Sequence, residues 1–122
     1  MELIAIYNSR GDADAFLDYP YVFNRNGDWV GFVTPRREVY SVLGYYVGYL
    51  TNDPRILRKA ATSALKPRMQ APPAPPGRVY PPATVPLAPL MSELGGGTID
   101  VLLEEPERLH AADAGELRED LD

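Results

Sequence analysis

The chain contains no cysteine among its 122 residues, so neither disulfides nor thiolate metal ligands take part in its construction. It has a single histidine, His110, placed in an acidic stretch. Ser–His triads and histidine-rich metal centres are excluded with it. No apolar run approaches the ~18 residues of a membrane span, and no charged-then-apolar leader opens the sequence. A soluble cytoplasmic protein, not membrane-associated, is therefore expected. The glycine run Gly95–Gly97 has neither a following Lys-Ser/Thr nor a strand-like stretch before it, so it lacks the features of a phosphate-binding loop. No set of side chains converges on a reaction, and no catalytic residue, metal ligand or cofactor is expected.

What is present is a repeat. An aromatic residue, three residues, a glycine, four residues and another aromatic recur as Tyr7…Gly11…Phe16, Phe23…Gly27…Phe32 and Tyr40…Gly44…Tyr49. Asn8-Ser9-Arg10-Gly11 places Asn where its side chain can accept from a backbone N–H two residues on. It places Gly where the chain needs a positive φ. That is the signature of a type I turn with a G1 bulge. Asn24-Arg25-Asn26-Gly27 repeats it, and Ser41-Val42-Leu43-Gly44 keeps the glycine. Flanking runs rich in Ile, Val, Phe, Tyr and Trp favour strands. Three β-hairpins follow, with Gly11, Gly27 and Gly44 as structural turn residues.

Aligned, the units form columns. Phe16, Phe32 and Tyr49 share one; Trp29 and Tyr46 share another with Ala13. Ala15, Gly31 and Gly48 form a small-residue column that suggests close backbone approach. Asp14 stands where its mates are Val30 and Val47, and is expected to face the core or an oligomer axis, where a ring of carboxylates could hold a cation. Counting 17 on from Tyr40 lands on Leu57. The turn glycine then falls on Ala61 and the returning strand on Ala60–Leu65, a stretch that favours helix or coil. The fourth hairpin reads as degenerate.

These residues resemble the four-fold β-flower domain family of small bacterial proteins. Ile6-Tyr7-Asn8…Gly11, Phe23…Gly27…Phe32 and Val39-Tyr40…Gly44…Gly48-Tyr49 carry the resemblance, over about residues 1–60. It implies an all-β arrangement of hairpins about a fourfold or pseudo-fourfold axis and supplies no catalytic residues. The chain departs from the pattern at the fourth element, where Arg58 and Ala61 stand in place of an Asp-x-x-Gly turn.

The remainder divides by composition. Residues 1–99 hold ten basic and eight acidic residues, whereas residues 100–122 hold nine acidic residues against Arg108 and Arg118. Six basic residues and no acid lie between Pro54 and Ser92. That stretch reads as a solvated linker rather than a phosphate contact, so nucleic acid is not an expected partner. Nine of the 13 prolines fall in Pro67–Pro89, which makes that segment extended or disordered and never sheet interior. Val79, Tyr80, Val85, Leu87, Leu90, Met91 and Leu94 interleave with its later prolines and are expected to dock against a surface. Thr98–Leu109 reads as a short helix capped by Thr98 or Asp100, with Val101, Leu102 and Leu109 on one face and Pro106 in a first turn or kink.

The expected fold is therefore all-β, with three clear hairpin repeats and a degenerate fourth, a proline-rich segment and a partly disordered acidic tail. Its divisions are a repeat domain at 1–60, a basic Pro/Gly-rich linker or docking segment at 61–97, and an acidic short helix and tail at 98–122. A 60-residue domain with unpaired strand edges is marginal alone, so a homo-oligomer is expected, with a tetramer among the arrangements open to it. The missing quarter must come from the proline-rich segment or from another copy. The expected role is a non-enzymatic structural or protein-interaction module that self-associates and engages a protein partner through its proline-rich and acidic segments. Tyr80, Leu87, Leu90, Leu102 and Leu103 are its candidate contact residues. The alternative is a carbohydrate- or nucleic-acid-binding module with Trp29, Tyr45 and Tyr46 as a stacking platform.

Overall fold

The computed structural model describes residues 3–60 and 66–110. Among these, eight strands form one curled antiparallel sheet in chain order: β1 (Ile4–Tyr7), β2 (Ala13–Asp18), β3 (Tyr21–Asn24), β4 (Trp29–Val33), β5 (Glu38–Ser41), β6 (Tyr46–Leu50), β7 (Ile56–Lys59) and β8 (Thr98–Asp100). A four-residue helix α1 (Val101–Glu104) and a 3-10 turn (Pro106–Arg108) complete the described chain.

The three expected hairpins form, β1–β2, β3–β4 and β5–β6. Each closes as its turn chemistry dictates. The Asn8 side-chain oxygen accepts from the amides of Arg10 and Asp12, and Asn24 does the same for Asn26 and Asp28. Ser41 Oγ accepts only from the Tyr45 amide, in keeping with the shorter reach of a hydroxyl. Gly11, Gly27 and Gly44 have φ of 92°, 87° and 90°. One register shift per hairpin places Asp14, Val30 and Val47 as the extra, bulged residues.

The fourth hairpin is complete, and it is built within the same chain. β7 pairs with β8 through Leu57↔Asp100, Arg58↔Ile99 and Lys59↔Thr98. The Ala60 amide donates to Gly97 O as Asn8 donates to Asp12 O and Asn24 to Asp28 O. Lys59 therefore takes the place of Tyr7, Phe23 and Tyr40, two residues beyond the position reached by counting 17. The tight turn is replaced by the whole excursion from residue 60 to 97. Neither the proline-rich segment nor another copy supplies the missing quarter; residues 98–100 do. The division at residue 60 made from composition thus falls inside a hairpin. The helix-or-coil expectation at 61–65 and the acidic tail from Ala111 onward lie outside the described residues.

Alternation along the strands sends two sets of side chains to opposite faces. Cross-strand pairs Leu17↔Val22 and Val33↔Val39 mark one face, and Phe16↔Phe23 and Phe32↔Tyr40 the other. The first face is aliphatic: Ile6, Leu17, Val22, Val30, Val39, Val47 and Ile56 pack with Val101, Leu102 and Leu109 from the C-terminal segment. Asp100 caps α1 by accepting from the Leu103 amide, which turns the chain over this face. The small-residue column permits the hairpins to close up, since a Cβ on Gly31 or Gly48 would meet the carbonyl of Tyr40 or Leu57 on the neighbouring strand. Val101 is wholly buried and Leu102 nearly so, so residues beyond 97 are part of the core.

Two consequences can be measured. Leu102→Ala should cost about 2–4 kcal/mol in denaturant unfolding, as truncation of a buried leucine does. Residues 1–60 made alone should show no dispersed amide spectrum; a folded 1–60 fragment would contradict this placement of the core.

Candidate interaction surface

The aromatic face is covered by the proline-rich segment, which runs as an extended strap around the hairpin turns. It meets the hairpins in reverse order. The Met69 amide donates to Gly44 O at 2.8 Å and the Val79 amide to Gly27 O at 3.0 Å. Beside each contact an arginine reaches the carbonyl preceding the glycine: Arg68 Nε donates to Leu43 O at 2.6 Å, and an Arg78 guanidinium nitrogen donates to Asn26 O. Arg68-Met69 and Arg78-Val79 are thus one docking unit used at two successive turns. Farther on, Ala88 lies against Gly11. Between these points Tyr21 and Tyr7 donate their hydroxyls to Pro73 O and Pro86 O, both at 2.7 Å.

The turn glycines serve the strap as well as the turn. A Cβ on Gly27 or Gly44 would run into the carbonyl of Val79 or Met69, closer than the 3.0 Å that real Cβ atoms keep. At Gly11 the nearest strap atom would be Ala88 Cβ at 3.7 Å, an ordinary contact.

The basic residues of this stretch are spent on the fold. Arg55 is 3 % exposed and ties the junction between the fourth and first hairpins: it bonds Ser9 Oγ, both carboxylate oxygens of Asp53 and the Ser92 carbonyl. At the same junction the Tyr7 amide donates to Pro54 O, and the Ser9 amide to Asp100 Oδ2 at 2.6 Å. Arg58, equally buried, pairs with Glu105, which Arg108 also holds at 2.8 Å. Lys66 pairs with Glu38 at 2.9 Å and sits over the Tyr46 ring. The hydrogen bond from Lys66 lowers the Glu38 pKa. Burial acts to raise the carboxyls of Asp53 and Glu105, but their hydrogen bonds, chiefly from Arg55 and Arg58, outweigh it and both pKa values are lowered. Burial raises the Tyr40 and Tyr46 phenols.

The structure separates the residues proposed as a stacking platform. Tyr46 is buried edge-on against Tyr40, which stacks on Phe32, with Ala71 of the strap packed against this cluster. Trp29 is half-buried edge-on against Tyr21, and its indole N–H donates to Gly31 O. Tyr45 is 55 % exposed, with the Arg68 guanidinium over its ring. These rings are packed against the strap or against one another and present no shared face. Leu102 goes to the core, and Leu103 is half-exposed. Tyr80, Leu87 and Leu90 are the expected contact residues that the structure leaves open, at 85 %, 96 % and 101 % exposed. Asp14 lies at the margin of the aliphatic core. It accepts from Asn8 Nδ2 at 2.6 Å, lies 3.8 Å from Arg25, and borders a cleft of about 400 Å³ floored by Val30 and Leu102. Its repeat mates are valines, and among the described residues no group of carboxylates and histidines is placed to hold a metal. The missed feature is the strap's docking at Gly27 and Gly44, for which the recurrence of Arg before an apolar residue at 68–69 and 78–79 was the available signal.

The sequence model of the 4-fold beta flower protein family matches residues 4–96. The chain belongs to the 4-fold beta flower family. The match continues past the three hairpins through the strap, so the family pattern takes in the segment that covers the aromatic face. No curated protein and no solved structure matches the chain. Among the described residues no helix is long and apolar enough to cross a membrane.

The glycine geometry gives a graded prediction. Gly11→Ala should cost about 1–2 kcal/mol, the penalty of a left-handed backbone at a residue with a Cβ. Gly27→Ala and Gly44→Ala should cost more, because the strap must also move. Equal losses at the three sites in urea unfolding would show that the strap does not depend on the missing Cβ.

Proposed function

We propose that this β-flower protein is a non-enzymatic structural and protein-interaction module that self-associates through the apolar side chains displayed by its strap. The observation that carries the proposal is the near-complete exposure of Tyr80, Leu87 and Leu90 on a segment whose backbone is fixed at Val79, Pro86 and Ser92. Large apolar side chains held in water favour association, and an already ordered backbone loses little further entropy when a partner covers it. A second copy is the partner favoured by charge. The strap from Pro67 to Met91 carries no acid and keeps Arg68 and Arg78 exposed, whereas the C-terminal cap exposes Glu104 and Glu107. The non-enzymatic part is supported by the carboxyls themselves: Asp53 and Glu105 are lowered by guanidinium partners, which is the state of a structural ion pair rather than of a proton-transfer group.

Light scattering on the full chain tests this. The wild type should have a mass that is a multiple of 13.5 kDa. Tyr80→Ser, Leu87→Ser and Leu90→Ser combined should return it to one copy without lowering the thermal midpoint. A wild type that stays monomeric at sub-millimolar concentration contradicts self-association.

A further inference from the structure

The repeat has a vacancy on its aromatic face. Trp29 stands opposite Phe23 in the second hairpin and Tyr46 opposite Tyr40 in the third. In both, the ring packs edge-on against a neighbouring tyrosine. In the first hairpin the same position, opposite Tyr7, is Ala13. The strap does not close down on the smaller residue. It arches from Val79 on the second turn to Ala88 on the first and leaves a cleft of about 510 Å³ beneath. Ala13 and Phe16 line this cleft on the sheet side, and Pro82 and Val85 on the strap side. Its volume lies within the range of sites that take small molecules.

Two further residues line the cleft, Asp12 and Arg25. The Asp12 side chain is exposed, and among the described residues its carboxylate has no partner. Arg25 is 74 % exposed, and among the described residues its one ion pair is with Asp14, at 3.8 Å. An acceptor and a donor of opposite charge therefore border a slot that the second and third hairpins fill with an aromatic ring.

We propose that this cleft binds an aromatic α-amino acid. The ring enters the slot left by Ala13, its carboxylate pairs with Arg25 and its ammonium with Asp12. Bidentate guanidinium–carboxylate pairing and an ionised acceptor for the ammonium suit these two residue types. The site does not depend on the apolar ridge at Tyr80, Leu87 and Leu90, so it stands or falls separately from self-association.

The experiment is a titration of the full chain with L-tryptophan, followed by amide shifts of residues 12–16 and 83–85. Saturable shifts confined to those residues are expected. Ala13→Trp should fill the slot from within, raising the thermal midpoint and weakening binding by roughly tenfold or more; Ala13→Leu serves the same purpose if the indole overpacks. Tryptamine and indole-3-propionate, each lacking one charge, should bind roughly tenfold more weakly than tryptophan. Arg25→Gln should remove the preference for tryptophan over tryptamine, and Asp12→Asn its preference over indole-3-propionate. No saturable shift in the millimolar range, undiminished binding by both Ala13 variants, or equal binding of the three probes would overturn the proposal.

Discussion

The architecture depends on a contact that only bare backbone allows. At Gly27 and Gly44 the strap comes so close that no side chain fits between it and the turn. Each glycine thus meets two constraints at once: a positive φ that shapes the hairpin, and an open flank that receives another stretch of chain. The strap needs this because proline denies it any ladder of its own. Two of its amides, those of Met69 and Val79, go to the carbonyls of the same glycines. A segment that could not join a sheet edgewise is held instead at points, with tyrosine hydroxyls and arginines between them.

That arrangement solves the problem of size. Three hairpins alone would leave an aliphatic face open and two sheet edges unpaired. The strap carries the chain round the aromatic face and delivers residues 98–109 to the opposite one. There β8 completes the fourth hairpin and Val101, Leu102 and Leu109 cover the aliphatic side chains. The join between the first and fourth hairpins has no strand ladder between β1 and β8. It is made by Arg55, Asp100 and the Pro54 carbonyl. Breaking one partner of such a buried charged cluster leaves the other uncompensated, which makes this join sensitive to single changes.

The hairpins were legible because their signals are local. Asn or Ser at the start of a turn and Gly at its end determine the connection whatever surrounds it, and all three formed where the residues indicated. The fourth hairpin was not legible, because its two strands lie nearly 40 residues apart and no local pattern links Lys59 to Thr98. Counting by the repeat put Leu57 where the structure puts Lys59, since the missing turn removed the only marker of register. The same limit applied to charge. Arg55 and Arg58 read as part of a solvated basic run, and only the long-range placement of Ser92 and Glu105 shows them buried and paired. Leu102 and Leu103 were both candidate contact residues; the turn set by Asp100 buries the first in the core and leaves the second half-exposed. The aromatic columns indicated a packed face correctly, but neither its proline-rich cover nor the separate packing of Trp29, Tyr45 and Tyr46.

Native-state hydrogen exchange at the amides of Met69 and Val79 tests the central claim most directly. These two sit in a proline-rich segment with no regular secondary structure, where free chain would exchange within the dead time. If the strap is interlocked with the turn glycines, both amides should be protected to nearly the same extent as those of Val39 and Ile6 in the sheet. Exchange at the rate of unstructured peptide, with the sheet amides still protected, would show that the strap is not held as described.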